Sequence, residues 1–407
     1  QMSEESIYSW VAPAATLRFE APGPVSYGTA KGPKHHCNLH RKDSYMIVDG
    51  DITFLATESV DAPRELVYQK DFTARKAGFI LPEIVEQMEK AQDQIIRADH
   101  RGSFVITGPA GSGKTTLALH RIAYLTLSPD TAGLFESSRM IVLVQDVGSK
   151  DYFSHLLPEL GIRDVAITTF AEWACDILGL ASSSIVSSYG DNEYAANRYE
   201  YEKVQALRMY PSANISSASP SRTLDAAYRD LSESSARIYR RQKEDQVFDR
   251  IDLTVMLLAS YAKLGSISKH QEYYMQQKNG SLKKKIGYLP VRYPLILVDE
   301  FQNYLPEQLH LLKTCLTSSQ QGLLYVGDLS QQVCFGTIRD WNEVGESIPS
   351  DRNVRLEKVY RNTKNILRYI QGLGFTVAIP HKMREGSAVV ERLCSDAFEE
   401  QVFVEKL

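Results

Sequence analysis

The residues best suited to chemistry begin at position 108, where the chain reads Gly-Pro-Ala-Gly-Ser-Gly-Lys-Thr through residue 115. The spacing G-x-x-x-x-G-K-[ST] lets backbone N–H groups close on phosphate oxygens, and a following helix and lysine add positive potential. Thr115 has the hydroxyl that would hold Mg²⁺. The predicted phosphate-binding residues are Gly108, Ala110, Gly111, Ser112, Gly113, Lys114, Thr115 and Thr116.

Two acids, Asp299 and Glu300, follow the apolar run 295–298. At the carboxyl edge of a sheet, Asp299 would reach the Mg²⁺ held by Thr115, and Glu300 would polarise the water that attacks a γ-phosphate. A strand that ends in acids is also a common solvated edge. The position of this pair after a phosphate-binding loop favours the functional interpretation.

A neutral amide, Gln331, lies at the end of the stretch 327–331, which reads Gly-Asp-Leu-Ser-Gln and follows the apolar run 323–326. An amide at this edge would sense a γ-phosphate. A polar turn after a strand explains the same residues equally well, so both interpretations stay open.

The elements that must position these groups alternate along the chain. Apolar runs at 104–107, 140–144 and 165–169 are predicted strands, and helical patterns begin at Thr116 and span 152–160. Such alternation predicts an α/β fold with a parallel sheet covered on both faces. Near the N-terminus, Asp49-Gly50-Asp51 between two apolar runs predicts a β-hairpin.

This pattern predicts that the chain is divided into four parts. Residues 1–77 form a β-rich region, residues 78–180 and 291–358 the core, residues 181–290 a mostly helical insertion, and residues 359–407 the start of a further domain. A helix is expected at about 78–100 and a short strand at 376–379.

Composition narrows the class of protein. The 407 residues are 43% hydrophobic and 24% charged, as in soluble globular proteins. The net charge of −4 means that any nucleic-acid binding must use local basic patches. The apolar runs have strand length, which predicts no membrane span. Five scattered cysteines and a polar N-terminus predict free thiols in a reducing cytoplasm.

Together the motifs resemble those of superfamily 1 helicases of the UvrD/Rep kind. Asp299-Glu300-Phe301-Gln302 resembles their D-E-x-Q box, residues 327–331 resemble their third motif, and Tyr360-Arg361 resembles their fourth. Gln92 is similar to the glutamine that reads the edge of adenine, and residues 168–170 are similar to a strand end that touches single-stranded nucleic acid. The resemblance implies a RecA-like core with a 1B-like insertion.

The resemblance also implies roles for individual residues. It assigns catalysis to Lys114, Glu300, Gln331 and Arg361, adenine contacts to Gln92 and Tyr360, and Mg²⁺ binding to Thr115 and Asp299. It assigns nucleic-acid contacts to Thr168, Thr169 and Phe170, and the sequence adds Phe335 and Trp341 as aromatic residues that could stack on bases. Trp341 could equally be a core residue. The basic clusters 237–243 and 283–285 could contact phosphates or be solvated faces.

Finer features resemble the HelD branch of that superfamily, among them the stretch 10–14, the run from Gln92 to Arg97, and the stretch 120–125. The sequence departs from the family at Phe301, Asn303 and Thr116, where many relatives have alanine, aspartate and arginine. No sustained heptad precedes residue 80, although the HelD branch has a long coiled-coil arm that acts on RNA polymerase.

The resulting expectation is an ATP- and Mg²⁺-dependent enzyme that acts on nucleic acid: a single-stranded-DNA-stimulated ATPase, or a 3′–5′ DNA helicase when complete. Two alternatives are a HelD-like ATPase that binds RNA polymerase and a non-motor ATP-sensing subunit of a defence or repair complex. Few residues follow Arg361, whereas a second RecA-like domain needs about 150. We therefore expect the chain alone to hydrolyse ATP slowly and to unwind little or nothing.

Overall fold

A computed structural model describes residues 9–28, 32–48, 51–69, 92–209, 220–278, 280–318, 322–356, 363–375 and 385–395, together with residues 379, 399, 401 and 403. The chain divides into two compact units. The first contains residues 1–39, 89–108 and 114–355, and the second contains residues 40–88, 109–113 and 356–407.

The strands, in chain order, are β1 (Gly23–Tyr27), β2 (His35–Leu39), β3 (Arg41–Val48), β4 (Asp51–Ser59), β5 (Ala62–Gln69), β6 (Ser103–Thr107), β7 (Ile141–Val144), β8 (Ala166–Thr169), β9 (Ser268–Gln276), β10 (Leu282–Pro290), β11 (Leu295–Asp299), β12 (Gly322–Gly327) and β13 (Asn353–Arg355). The helices are α1 (Lys114–Leu127), α2 (Val147–Glu159), α3 (Phe170–Leu178), α4 (Glu193–Met209), α5 (Pro220–Ala227), α6 (Glu233–Glu244), α7 (Arg250–Leu264), α8 (Pro306–Thr314) and α9 (Lys364–Gly372).

A six-stranded sheet forms the centre of the first unit, in the order β13-β6-β12-β11-β7-β8. All its neighbouring strands pair in parallel. Every residue of β7, β11 and β12 is buried. Consecutive buried residues mean that both faces of the sheet are covered, because successive side chains point to opposite faces. The predicted α/β fold with a parallel sheet is confirmed.

The order of the strands brings the candidate residues to one edge. Strands β6, β12 and β11 are adjacent, so the loops that follow their carboxyl ends start side by side. In open parallel sheets, ligands bind outside the carboxyl ends of the strands. The edge strand β13 was not predicted, because three residues carry too little periodicity to register as a strand.

The insertion is helical from α4 to α7, and a buried polar network fixes its helices. Lys203 on α4 is fully buried and donates to Asp249 and, at 2.8 Å, to Asp252. Tyr228 and Gln242 also donate to Asp252, at 2.7 and 2.8 Å. A buried charge is tolerated when it is paired and hydrogen-bonded. The network therefore ties α4, α6 and the residue that follows α5 to the start of α7.

The end of the insertion differs from the sequence-based expectation of a mostly helical segment. Strands β9 and β10 form an antiparallel ribbon. Its turn closes with a hydrogen bond from Gly280 N to Gln277 O at 2.9 Å, and Gly280 has a φ of +82°. Asn-Gly in the sequence is a hairpin signal, and tyrosines before it favour strands. The three lysines 283–285 concealed this pattern, because their charge suggests a solvated segment.

In the second unit, β3, β4 and β5 form an antiparallel sheet, and Val48 pairs with Asp51 across the first turn. The predicted hairpin is therefore confirmed. Of the helix expected at about 78–100, residues 92–97 are helical, and residues 78–91 lie outside the described part. Three residues of the strand expected at 376–379 also lie outside it. Among the described residues, no helix is both long and apolar enough to cross a membrane.

Candidate functional site

The glycine-rich loop lies between the last residue of β6 and the first of α1. Gly108, Gly111 and Gly113 have φ values of +150°, +77° and +86°. Other residues rarely adopt such values, so the glycines are required by the backbone of the loop. No atom within 4 Å would meet a Cβ at Gly113. This glycine is therefore needed for conformation and not for packing.

Ser112 in the same loop is 2% exposed, and its Oγ has no hydrogen-bond partner among the described residues. Ser112 N donates to Pro109 O at 3.2 Å, which closes the turn. A buried hydroxyl without a partner costs about 1–3 kcal/mol. An anionic oxygen at this loop would remove that cost, so the residues present fit a phosphate group.

Lys114 opens α1 and is 7% exposed. Its Nζ donates to Gly108 O at 2.8 Å, which joins the two ends of the loop. A buried ammonium group is costly unless it has partners. The amino group is therefore held beside the Gly108 carbonyl, directly after the last residue of β6.

Thr115 and Asp299 come together although they are far apart in the chain. Thr115 Oγ1 donates to Asp299 Oδ1 at 3.4 Å. Asp299 is 5% exposed, and burial together with the neighbouring Glu300 raises its pKa to about 7, against the opposing effect of Lys114. A hydroxyl and a carboxylate are hard oxygen ligands, and Mg²⁺ is commonly bound by one or two carboxylates plus phosphates. This pair fits Mg²⁺.

Glu300 has a left-handed backbone, with a φ of +50°. Its carboxylate accepts a hydrogen bond from Gln302 Nε2 at 2.5 Å, and Gln302 Oε1 accepts one from Asp328 N at 2.9 Å. A Cβ on Gly327 would overlap Gln302 Oε1. Gln302, 1% exposed, therefore joins the loop after β11 to the loop after β12 and fixes the Glu300 carboxylate.

Gln331 lies in the loop after β12, as predicted, and its Nε2 donates to Asp328 Oδ2 at 2.7 Å. Asp328 Oδ1 accepts from Ser330 N at 3.0 Å. The Gln331 amide is thus bound within its own loop, and the structure brings it to the same sheet edge as Asp299 and Glu300. Both sequence interpretations, a γ-phosphate sensor and a polar turn, are compatible with this arrangement.

Gln92 is half-buried at the start of the helical residues 92–97. This helix is anchored by Arg121 of α1, whose guanidinium is buried and donates to Ile95 O at 2.7 Å, Ala98 O at 3.0 Å and Asp99 O at 2.8 Å. Burial lowers the pKa of Arg121 to about 10, which leaves it charged. Sequence analysis included Arg121 in the stretch 120–125 but did not identify its anchoring role, because its partners are backbone carbonyls.

The candidate nucleic-acid residues at the end of β8 and the start of α3 have structural contacts. Thr169 caps α3: its side chain accepts from Glu172 N, and Glu172 accepts from Thr169 N. Thr168 Oγ1 donates to Glu172 at 3.1 Å. Phe170 is 7% exposed. The role of Thr168, Thr169 and Phe170 in binding nucleic acid stays a prediction.

The two candidate aromatic residues lie in different surroundings. Trp341 packs against Phe301 and Tyr325, with ring centroids 4.9 Å apart in both pairs. Phe335 is 42% exposed and lies 6.1 Å from the ring of Tyr201. Of the two, Phe335 is therefore the more accessible for stacking.

The predicted adenine and γ-phosphate contacts Tyr360 and Arg361 lie outside the described residues. The remaining arrangement has a parallel sheet, a glycine-rich loop after one strand, two acids at the carboxyl end of β11 and an amide after β12. This fold and this order of elements are those of a RecA-like P-loop core.

Comparison with known proteins agrees with this class. Residues 191–335 match a family described as the UvrD/REP helicase N-terminal domain. The chain is 23% identical over 308 residues to the ATP-dependent DNA helicase PcrA of Staphylococcus epidermidis, a match that covers 70% of this chain and 39% of the relative. It is 24% identical over 292 residues to PcrA of Leuconostoc citreum, covering 65% of this chain and 36% of the relative.

These matches support a relationship to UvrD-like superfamily 1 helicases. The chain spans about two fifths of the length of the relatives that it matches. The family match includes most of the insertion, the acidic residues at the carboxyl end of β11 and the start of the loop after β12.

Proposed function

We propose that this chain binds ATP with Mg²⁺ and hydrolyses it in response to single-stranded DNA. The observation that supports this most is the contact of Thr115 with Asp299, because it joins the end of the glycine-rich loop to the acidic strand end. That contact assembles a hard-oxygen pair beside Lys114, as ATP hydrolysis requires.

Each residue would have a distinct part in the reaction. Lys114 and the loop N–H groups would bind the phosphates, and Thr115 and Asp299 would hold Mg²⁺, which neutralises charge on the phosphates when bound. Glu300 would orient water and accept its proton, and Gln302 would keep the Glu300 carboxylate in position. Gln331 would exchange its bond with Asp328 for one to the γ-phosphate.

The remaining assignments rest on the helicase resemblance. Gln92 would read the edge of adenine, Tyr360 would stack on its ring, and Arg361 would contact the γ-phosphate. DNA as the substrate is supported by the names of the PcrA relatives, and Phe335 is an accessible aromatic side chain that suits base stacking.

A HelD-like ATPase that binds RNA polymerase is a second candidate. One observation favours it: Arg97 donates to Trp10 O at 2.6 Å and to Val11 O at 3.5 Å. This contact joins two of the stretches on which the HelD resemblance depends. Co-purification with RNA polymerase, without stimulation of ATPase activity by single-stranded DNA, would favour this candidate.

The proposed function is tested with Lys114→Ala and Glu300→Gln, and with Lys263→Ala on an exposed site of α7 as the control. Binding of a fluorescent ATP analogue and ATPase activity are measured with and without oligo(dT). We expect Lys114→Ala to lose binding, because the phosphates lose a charge partner. Glu300→Gln should bind normally and lose on the order of 10²–10⁴ in turnover. Equal binding and turnover in all variants would contradict the proposal.

A further inference from the structure

The ribbon formed by β9 and β10 has two faces of different character. Directly opposed residues of an antiparallel pair lie on the same face, and the register places Tyr274 opposite Lys284 and Glu272 opposite Ile286. Because successive side chains point to opposite faces, one face carries the even-numbered residues of both strands and the other carries the odd-numbered ones. We call these the even face and the odd face of the ribbon.

The even face is apolar and exposed to solvent. Its four large apolar side chains are between 58% and 66% exposed: Tyr274, Leu282, Ile286 and Tyr288. The lysine and the glutamate on this face pair with each other at 2.6 Å, so they add no net charge. Apolar side chains that are grouped and exposed commonly mark a contact site for another molecule.

The odd face is basic along β10. It carries Lys283 and Lys285, which lie opposite Met275 and Tyr273. The ribbon as a whole, residues 268–290, contains five lysines and one glutamate and has a charge of +4 in a chain whose net charge is −4. From residue 282 to residue 286, β10 therefore alternates between apolar or paired side chains on the even face and free cations on the odd face.

The hydrogen-bond pattern shows which backbone groups of β10 point outward. Near the turn, Gln277 N donates to Ser281 O at 2.8 Å, and at the other end Val291 N donates to Ile267 O at 2.9 Å. Hydrogen-bonded pairs alternate with non-hydrogen-bonded pairs along a ribbon, so the even-numbered residues of β10 direct N–H and C=O away from β9. Pro290 agrees with this pattern, since proline is confined to strand positions that need no N–H in the ladder.

The outer edge of β10 is suited to the addition of a further strand. In the part of the chain that the structure describes, β10 pairs with β9 and with no other strand. An unpaired row of outward N–H and C=O groups is a template for an extended peptide. Lysines on an edge commonly discourage pairing with any strand, but they do not account for the apolar side chains on the even face.

The charges and side chains of the ribbon favour one kind of occupant. A second copy of the ribbon would bring two lysine runs together, and like charges in opposed positions are destabilising. Nucleic acid suits the lysines, but the aliphatic Leu282 and Ile286 offer no ring on which a base can stack. A strand with acidic side chains toward the odd face and apolar side chains toward the even face matches both surfaces.

We propose that the outer edge of β10 is a docking site for an extended segment of a partner protein in which acidic and apolar residues alternate. The segment adds to the ribbon as a third strand. Its backbone bonds to the outward groups of residues 282–288, its apolar side chains cover Leu282, Ile286 and Tyr288, and its carboxylates lie beside Lys283 and Lys285.

The test uses a fluorescein-labelled peptide that alternates Glu and Val and has the nine-residue length of β10. Fluorescence anisotropy with the purified 407-residue chain should give a Kd of about 100 µM or tighter. Two control peptides should bind at least about 10-fold more weakly. One replaces Glu by Lys and repels the lysines, and the other places the same residues in two blocks and so directs them to the wrong faces.

A reversal of charge tests the contact with the lysines. In the double variant Lys283→Glu, Lys285→Glu, we expect binding of the Glu and Val peptide to be lost and binding of the Lys and Val peptide to appear. Simple loss of a folded ribbon would remove binding of both peptides, so the gain of the second peptide is the decisive result. An absence of this reversal overturns the proposal.

Proline substitution tests the backbone contact. Ile286→Pro removes an outward N–H of β10 and an apolar side chain, and it should weaken binding by about 10-fold or more. Gln276→Pro is the matched control, because it removes an outward N–H from the opposite edge of the same ribbon, and binding should stay within about twofold. Ile286→Thr keeps the N–H and should have an intermediate effect.

The remaining outcomes would each overturn the proposal. No binding of the Glu and Val peptide at about 1 mM excludes the site. A dimer of the chain in light scattering that Ile286→Thr dissociates would assign the even face to a second copy. Weaker oligo(dT) binding in Ile286→Thr with unchanged peptide binding would assign it to nucleic acid. If Ile286→Pro lowers the melting temperature sharply, Ile286→Thr and the charge reversal decide.

Discussion

Gln302 shows how one side chain can fix the position of the carboxylate that we propose as the base, that of Glu300. It is buried, it donates to Glu300 and it accepts from Asp328 N, so both of its polar ends are used. Glu300 needs this support, because its left-handed backbone is costly by about 1–3 kcal/mol and persists only where the surroundings enforce it. Gln302 is therefore expected to matter for turnover more than for ATP binding.

The change Gln302→Leu tests whether Gln302 contributes to turnover rather than to ATP binding. It keeps a similar volume but leaves the Glu300 carboxylate and Asp328 N without their partner. We expect kcat for ATP hydrolysis to fall on the order of 100-fold, as for other misplaced catalytic groups, with little change in KM. Gln276→Leu on the exposed ribbon is the control and should be neutral. A loss confined to KM would mean that Gln302 contributes to binding instead.

At the scale of elements, buried cations join helices that are distant in the chain. Arg121 anchors the helical residues 92–97 to α1, and Lys203 joins α4 to α7. Burial lowers the pKa of Lys203, but Asp249 and Asp252 outweigh it, and the net shift is upward. Burial and Asp249 raise the pKa of Asp252 to about 6, whereas Lys203 holds the pKa of Asp249 below its usual value.

Replacement of the buried Lys203 should make the stability of the protein depend on pH. Lys203→Met leaves Asp249 and Asp252 without their counter-charge, which should cost about 3–5 kcal/mol at pH 7. Both carboxyl pKa values then rise above their unfolded values, so the folded variant binds protons that the unfolded chain does not. The stability that protonated Asp249 and Asp252 contribute is present at low pH, and it is lost as pH rises through their pKa values in the folded variant.

Urea unfolding at pH 5 and pH 7 measures the effect. The difference in unfolding free energy between the unchanged protein and Lys203→Met should be smaller at pH 5. Lys263→Met, at an exposed position of α7, should show the same small effect at both values. If the difference in unfolding free energy caused by Lys203→Met does not depend on pH, the loss of stability comes mainly from packing and not from charge.

At the scale of the whole molecule, a net charge of −4 must be reconciled with the proposed binding of nucleic acid, which is a polyanion. The two basic clusters noted in the sequence differ in their pairing. In the cluster 237–243, Arg237 pairs with Glu233, Arg241 with Asp191, and Lys243 with Asp225. On the ribbon, Lys284 pairs with Glu272 at 2.6 Å, whereas Lys283 and Lys285 have no ion pair among the described residues. The ribbon is thus the better source of phosphate contacts.

The double change Lys283→Glu and Lys285→Glu tests this. We expect oligo(dT) affinity to fall and the slope of log affinity against log salt to decrease by about 1.4, since each single-strand phosphate contact contributes about 0.7. Changing Arg237 and Lys243 to Glu should alter the slope less, because their charges are already balanced. An unchanged slope in the Lys283→Glu, Lys285→Glu variant would exclude these two lysines as phosphate contacts.

The sequence predicted those parts of the site that are contiguous in the chain. The glycine-rich loop and the pair Asp299-Glu300 could be recognised because each is a short run of residues whose types and spacing suit phosphate and metal binding. The bond from Asp328 to Gln302 spans 26 residues and that from Arg250 to Phe335 spans 85. Such contacts depend on how strands and helices are ordered in space, and they leave no local pattern. Burial of Arg121 was equally hidden, because its partners are carbonyl groups that every residue has.

The left-handed backbone of Glu300 has a consequence for protein engineering. A procedure that ranks positions by thermodynamic gain would choose residue 300 for replacement by glycine, since glycine adopts that conformation without cost. The replacement would delete the carboxylate for which the conformation is maintained. Position 300 should therefore be held fixed in any library selected for heat resistance, and thermostability should be sought at surface sites remote from the ends of β11 and β12.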